Sequence, residues 1–220
     1  MTFSTSAKSR LTRYDLGRFP TNGLFDRVAR VVCEAGCLPR KELYESWEMA
    51  RRVRRRFRGG RVVDVAGGHG LLAHLMLLLD DSSPCAIVVD PAPPPSADTL
   101  YALITAAWPR LAGRVQRACV SVDAFACDAS DLVVSSHACG SLTDRVIDGA
   151  MSAGARVAVL PCCHDVETCD TRRLEGWVDA ALAIDLARAV RLEQGGYRIW
   201  TQTIPASITA KNRLLLAEPR

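Results

Sequence analysis

Arg61 to Leu79 reads RVVDVAGGHGLLAHLMLLL, and its reading decides the fold. Val62, Val63 and Val65 surround one acid in a run too short and too β-branched to start a helix. Leu71 to Leu79 is apolar throughout and free of Gly and Pro, so a buried strand hands over to a buried helix. Between them lie Ala66, Gly67, Gly68, His69 and Gly70. Glycine there permits positive φ and lets a ligand approach the backbone at the helix N-terminus. Taken alone, the turn is equally an ordinary tight strand-to-helix connection.

Its surroundings separate the two readings. Cys85 to Asp90, CAIVVD, is a second apolar strand ending in an acid some twenty residues past the turn. A carboxylate at that place grips the ribose hydroxyls of a nucleoside cofactor. Dinucleotide enzymes favour G-x-G-x-x-G, whereas S-adenosylmethionine enzymes favour an acid inside the first strand and a G-x-G-x-G-like turn. With Asp64 inside the strand, VVDVAGGHG resembles the motif of class I methyltransferases, Ala66 standing where the first glycine is usual.

At 220 residues, 49% of them hydrophobic, the chain can bury one core with a short extension. No apolar run approaches the roughly 20 residues of a membrane span, so no membrane partner is expected. Nine cysteines lie mostly within apparent strands and helix starts, which favours reduced thiols and a cytoplasmic location. Lys8, Arg10, Arg13 and Arg18 against Asp15 give the first twenty residues a faint likeness to a transit peptide; a disordered tail is the preferred reading.

Leu24 to Cys33 carries an amphipathic helical pattern, and residues 1–40 are read as tail and helical annex, with 41–220 as the main domain. A second helix, about 41–58, packs Leu43, Trp47, Ala50, Val53 and Phe57 and crowds six arginines into Arg51 to Arg58. That basic face is either solvated or a phosphate-contacting surface for RNA, with Arg51, Arg54, Arg55 and Arg58 as the candidate contacts. Strands follow near 115–122, 131–135, 156–160, 197–203 and 213–217. A long helix is expected over about 171–192, with Leu174, Trp177, Val178, Ala181, Leu182 and Leu186 facing inward. The count gives an α/β, Rossmann-like seven-stranded sheet with the last strand inserted antiparallel and an N-terminal helical extension. Asp123, after the third strand, is a candidate for the adenine amino group, with Asp128 behind it.

The loops after strands four and five hold Ser136, His137, Cys139, Cys162, Cys163 and His164. In this topology they meet beside the cofactor. They are a pocket wall, or acid/base groups, or a cysteine nucleophile, or metal ligands. Adjacent cysteines rarely both reach one ion, so no metal is assigned, and His137, Cys139 and His164 are the catalytic candidates.

SSHACGSLTD (Ser135 to Asp144) and LPCCHD (Leu160 to Asp165) together resemble a methyltransferase domain with an HACG-x-L-T-D motif and a later CC-[YH] motif. That domain occurs in methyltransferase-like proteins linked to ribosomal-RNA processing and in the glutathione-S-transferase C-terminal-domain-containing protein. More distantly it occurs in tRNA ribose 2′-O-methyltransferases. Lys211-Asn212-Arg213 is similar to the group's end motif, and the likeness covers about residues 40–217. It implies S-adenosylmethionine held by Asp64, Gly68, Gly70 and Asp90, with Ala66, Gly67, Asp123 and Ser136 around it and His137 and Cys139 at the transfer site. RNA is the expected acceptor. A small molecule or protein acceptor, or a non-catalytic subunit bound to a partner protein, are the alternatives.

Overall fold

The computed structural model describes residues 4–220. Seven strands form one sheet: β1 (Val62–Val65), β2 (Ala86–Val89), β3 (Val115–Ala118), β4 (Leu132–Ser135), β5 (Arg156–Val159), β6 (Tyr197–Thr203) and β7 (Arg213–Pro219). Their order is β3-β2-β1-β4-β5-β7-β6. The first five are parallel, and β7 enters antiparallel beside β5 with β6 paired outside it. The seven-stranded α/β expectation holds, including the inserted antiparallel strand.

The strands are apolar on both faces because helices cover both. Val62, Val88, Val134, Ala158 and Leu216 face a layer made by α1 (Leu24–Ala35), α2 (Arg40–Arg56), α3 (Leu71–Leu79) and α4 (Ala97–Ala107). Val63, Val65, Val133, Val157 and Ala217 face α5 (Ser141–Ala153) and α6 (Ala180–Gln194). Among the described residues no helix is long and apolar enough to cross a membrane.

Three expectations are corrected. The N-terminal segment, read as a tail, is anchored to the fold although residues 8–10 are exposed: Leu11 is fully buried, its N–H bonds the Leu38 carbonyl at 3.0 Å, and Arg13–Arg18 is a 3-10 helix. The annex thus shares one continuous core with the sheet. The long helix starts only at Ala180. Upstream, the Asp165 and Asp170 carboxylates accept from the N–H groups of Glu167 and Arg172, local bonds that compete with a helical ladder. Trp177 is therefore 88% exposed, Leu186 is also exposed, and the buried face is Ala183, Ile184, Ala187 and Leu192.

The third correction concerns Arg54. Only 2% exposed, it donates to the Met76 carbonyl at 3.0 Å and the Ser83 hydroxyl at 2.8 Å, and pairs with Asp80 at 3.0 Å. It fastens α2 to the end of α3 and is out of reach of RNA. Breaking a buried pair leaves an uncompensated charge, so Arg54→Ala should lose about 3–5 kcal/mol in urea unfolding. A loss under about 1 kcal/mol would mean the pair is solvated.

A candidate cofactor cleft at the carboxyl ends of the strands

The turn after β1 is shaped by contacts that leave no room for side chains. A Cβ on Gly67 would sit 2.8 Å from the Asp64 Cγ and from Val88, and one on Gly70 would sit 2.8 Å from Val88. Gly68, at φ +51°, has nothing within 4 Å of such a Cβ; this is the open side of the turn. The Gly68 N–H donates to Asp90 Oδ2 at 3.0 Å, so the two acid-bearing strand ends are joined through the glycine turn. Ala66 has φ 55°, a left-handed conformation that costs a non-glycine residue about 1–2 kcal/mol. Ala66→Gly should therefore raise stability by about 1 kcal/mol and Tm by about 2–4 °C; an unchanged or lower melting point would show the turn holds alanine without strain.

Asp64 is fully buried. Its Oδ2 accepts from the Ala73 N–H at 3.1 Å, while Oδ1, also buried, has no hydrogen-bond partner. Burial pushes its pKa up to about 7 despite that bond, helped by the charges of Glu42 and Asp90. On the α5 side of the sheet, the face opposite the Asp64 carboxylate, a cavity of about 190 Å³ is lined by Val65, Ala66, Val89, Ser121, Val122, Leu142 and Arg145 among others. It lies where the β1 and β2 ends meet the loop after β3. A larger space of about 440 Å³ lies elsewhere, between α6 and the β6–β7 hairpin. Asp123 does not line the smaller cavity; its carboxylate is exposed and clamped by Arg145, one arm at 2.8 Å. Ser121 and Val122 take the wall position instead. Asp128 pairs with Arg61 at 3.1 Å, on the side where the strands begin.

After β4 the Ser135 hydroxyl donates to the Val65 carbonyl at 2.7 Å and accepts from the Ala138 N–H at 3.3 Å, fixing the loop to the end of β1. Ser136 is buried beside it. The His137 Nε2 lies 3.8 Å from the Glu42 carboxylate near the start of α2. Burial lowers the His137 pKa to about 4, with Lys41 and His69 adding to the effect, and raises that of Glu42 to about 7, with the Glu45 charge behind it. The loop residues divide. His137 turns toward α2, whereas His164 turns toward α6, its Nε2 2.8 Å from Asp185, which Arg213 also holds at 2.7 Å. The three loop cysteines meet between them: Cys139 Sγ is 3.1 Å from Cys162 and 3.3 Å from Cys163. So the five residues do not form one cluster, and His164 is a structural clasp rather than a neighbour of His137.

Sequence reading missed Glu42 and Ser135. An acid in the first turn of a helix usually serves the helix dipole, and nothing else marked Glu42. The arginines of α2 sit away from this cleft. Glu42 lies in the first turn of α2, whereas Arg58 lies two residues past its end, its Nη1 bonding the Leu79 carbonyl at the far end of α3. Arg51 pairs with Glu48, Arg56 lies over Trp200 and Arg55 is exposed.

No protein-family model matches the chain, and no curated protein matches it. Solved structures do. A mitomycin 7-O-methyltransferase, MmcR, aligns with TM-score 0.54 at 16% identity over 96% of this chain and 64% of its own. An O-methyltransferase family protein from Burkholderia thailandensis gives 0.51 at 17%, over 94% and 69%. A ribosomal protein L11 methylase from Lactobacillus delbrueckii subsp. bulgaricus gives 0.51 at 15%, over 82% and 78%. This chain spans a little under two thirds of MmcR. The fold is that of the class I, Rossmann-like methyltransferases.

Proposed function

We propose that the chain is an S-adenosylmethionine-dependent methyltransferase. The observation that carries the reading is Asp64 Oδ1, an orphaned buried carboxylate oxygen under a glycine turn whose open side is bare backbone. A buried acceptor without a partner is costly, and a cationic ligand relieves it. The cofactor combines a sulfonium, an ammonium and an adenosine. Asp64 and Asp90 supply negative charge and ribose acceptors, and the cavity of about 190 Å³ has apolar walls of the kind a purine needs. When bound, the cofactor supplies a methyl group already activated by its sulfonium.

The protein's own work is alignment, exclusion of water and proton removal. Ser135 holds the loop that carries His137. The unpartnered Nε2 of His137 can accept a proton from a hydroxyl or amine acceptor. The Glu42 carboxylate 3.8 Å away steadies the resulting imidazolium once it is itself ionised.

The acceptor we favour is RNA, now on a narrower footing. Arg54 is excluded, and Arg51, Arg55 and Arg58 lie toward the end of α2 remote from Glu42. Thirteen helical residues separate Glu42 from Arg55, about 20 Å at 1.5 Å per residue, a span a polynucleotide covers more readily than a metabolite. The small-molecule reading draws on the cleft-side acids Glu42, Asp64 and Asp90, which repel phosphates.

Calorimetric titration with S-adenosylmethionine, and separately NAD, tests the cofactor. Binding of the first alone is expected. Asp64 in the folded chain titrates near 7 against about 3.9 unfolded. The folded chain therefore binds more protons between those values, and the unliganded protein loses stability as pH rises through that window. A cation binds the ionised form, so cofactor affinity should climb over the same window and level off above about 7. Affinity flat from pH 5 to 8 would remove Asp64 from the site. For RNA, affinity should fall steeply with salt; cofactor binding without turnover on RNA, protein or metabolite fractions would leave a non-catalytic subunit.

A further inference from the structure

The sulfurs of Cys139, Cys162 and Cys163 form a triangle with sides of 3.1, 3.3 and 3.8 Å. Two adjacent cysteines do converge, contrary to the expectation from sequence, because the loop after β5 crosses that after β4 in parallel register. Cys139 and Cys163 make an isolated parallel bridge, and the Gly140 N–H bonds the Cys163 carbonyl at 3.3 Å. This backbone frame is braced from below. Buried Arg188 donates to the Gly140 carbonyl at 3.0 Å and pairs with Asp144 at 2.8 Å, while the Thr143 hydroxyl caps the Ala138 carbonyl at 2.8 Å. The triangle is therefore held by groups other than the sulfurs, as a preorganised ligand set must be.

We propose that these three thiols form a site for one thiophilic divalent ion of the zinc type, bound as thiolates, with a fourth position open. A tetrahedron with zinc–sulfur bonds of about 2.3 Å places its sulfurs about 3.8 Å apart. The Cys162–Cys163 side already has that length, and the other two open by roughly half an ångström or a little more. Soft sulfur ligands select zinc over magnesium or calcium. His164, the adjacent imidazole, does not complete the set: its Nε2 bonds Asp185 at 2.8 Å, and neither ring nitrogen joins the three sulfurs within 4.8 Å of one another. Cys139 and Cys163 are exposed, so the fourth ligand comes from solvent or from a bound molecule. Binding releases the thiol protons to the buffer, and no electron transfer is involved. The site stands whether or not the cleft takes S-adenosylmethionine.

The test is anaerobic titration of the reduced, full-length chain with cobalt(II), followed by zinc(II). One equivalent of cobalt should bring up intense near-ultraviolet sulfur-to-cobalt charge transfer and the visible bands of tetrahedral cobalt, both bleached by zinc. Cys139→Ser, Cys162→Ser and Cys163→Ser should each lose the stoichiometric bands, whereas Cys119→Ser, in the exposed turn after β3, should keep them. Should the serine variants misfold by circular dichroism, alkylation mapping on the wild-type chain decides: zinc should protect those three cysteines and leave Cys119 reactive. Absence of charge transfer, protection of other cysteines, or recovery of two members of the triad as a disulfide in the chain as purified would each overturn the proposal.

Discussion

Replacing His137 with alanine should lower kcat by roughly 10²–10⁴-fold, the usual worth of a positioned base, with cofactor affinity unchanged. His137 sits on the loop that Ser135 ties to β1, and it has no bond to the glycine turn proposed to hold the cofactor. Its own pKa, near 4, keeps it neutral across the working range, and it becomes a useful base only when a nearby negative charge stabilises its protonated form. Glu42 titrates near 7, and only its ionised form stabilises a protonated His137. Below 7 the pair lacks that charge; above it the charge is present, so the rate should rise with pH through about 7. Glu42→Gln should flatten the rise while leaving the fold intact. A single-turnover rate in His137→Ala within a factor of about three of wild type would place the base elsewhere.

Asp90→Ala should abolish measurable binding of S-adenosylmethionine. The Asp90 carboxylate accepts from the Gly68 N–H at 3.0 Å and from the Ala92 N–H at 3.0 Å, so it orders the glycine turn in addition to the ribose contact proposed for it. Losing both functions at once should weaken the cofactor by about a hundredfold or more, some 3 kcal/mol. Thermal stability should change little, because Asp90 is half-buried at a strand end and outside the core. Asp90→Asn keeps one oxygen for the Gly68 N–H and loses the acceptor for the Ala92 N–H, so its residual affinity measures the combined loss of charge and of that second acceptor. Unchanged affinity in the alanine variant would defeat the assignment.

The strand, glycine turn and helix from Arg61 to Leu79 could be read in advance because hydrophobic pattern and turn chemistry agree there, and the same local agreement located the other strands. Properties set by distant partners could not. Arg54 sits in an arginine run that looks solvated, and its burial depends on Asp80 and Ser83, more than twenty residues on. Residues 165–179 carry helical spacing, but their aspartates bond the local backbone instead. The inward face of α6 is alanine, too small to stand out, while Trp177 and Leu186 misdirect. Leu11 is a single apolar residue in a polar stretch, and only its bond to Leu38 shows that it belongs to the core. The meeting of Cys139 with Cys162 and Cys163 is a property of two loops crossing, which neither loop encodes alone.

The placement of β7 between β5 and β6 also governs the order in which the molecule can be made. Strand β5 gains its outer neighbour from residues 213–219, which are made only after strands β1 to β6. The N-terminal segments likewise wait for residues 200–207. Phe57 packs edge-on against Trp200 at 5.9 Å, Arg52 donates to the Thr203 carbonyl across 151 positions, and Thr5 bonds the Ser207 carbonyl across 202. Contacts of such sequence separation are slow to close. A nascent chain stalled before residue 197 therefore exposes the edge of β5 and the apolar side of α2 together, the kind of surface that chaperones hold.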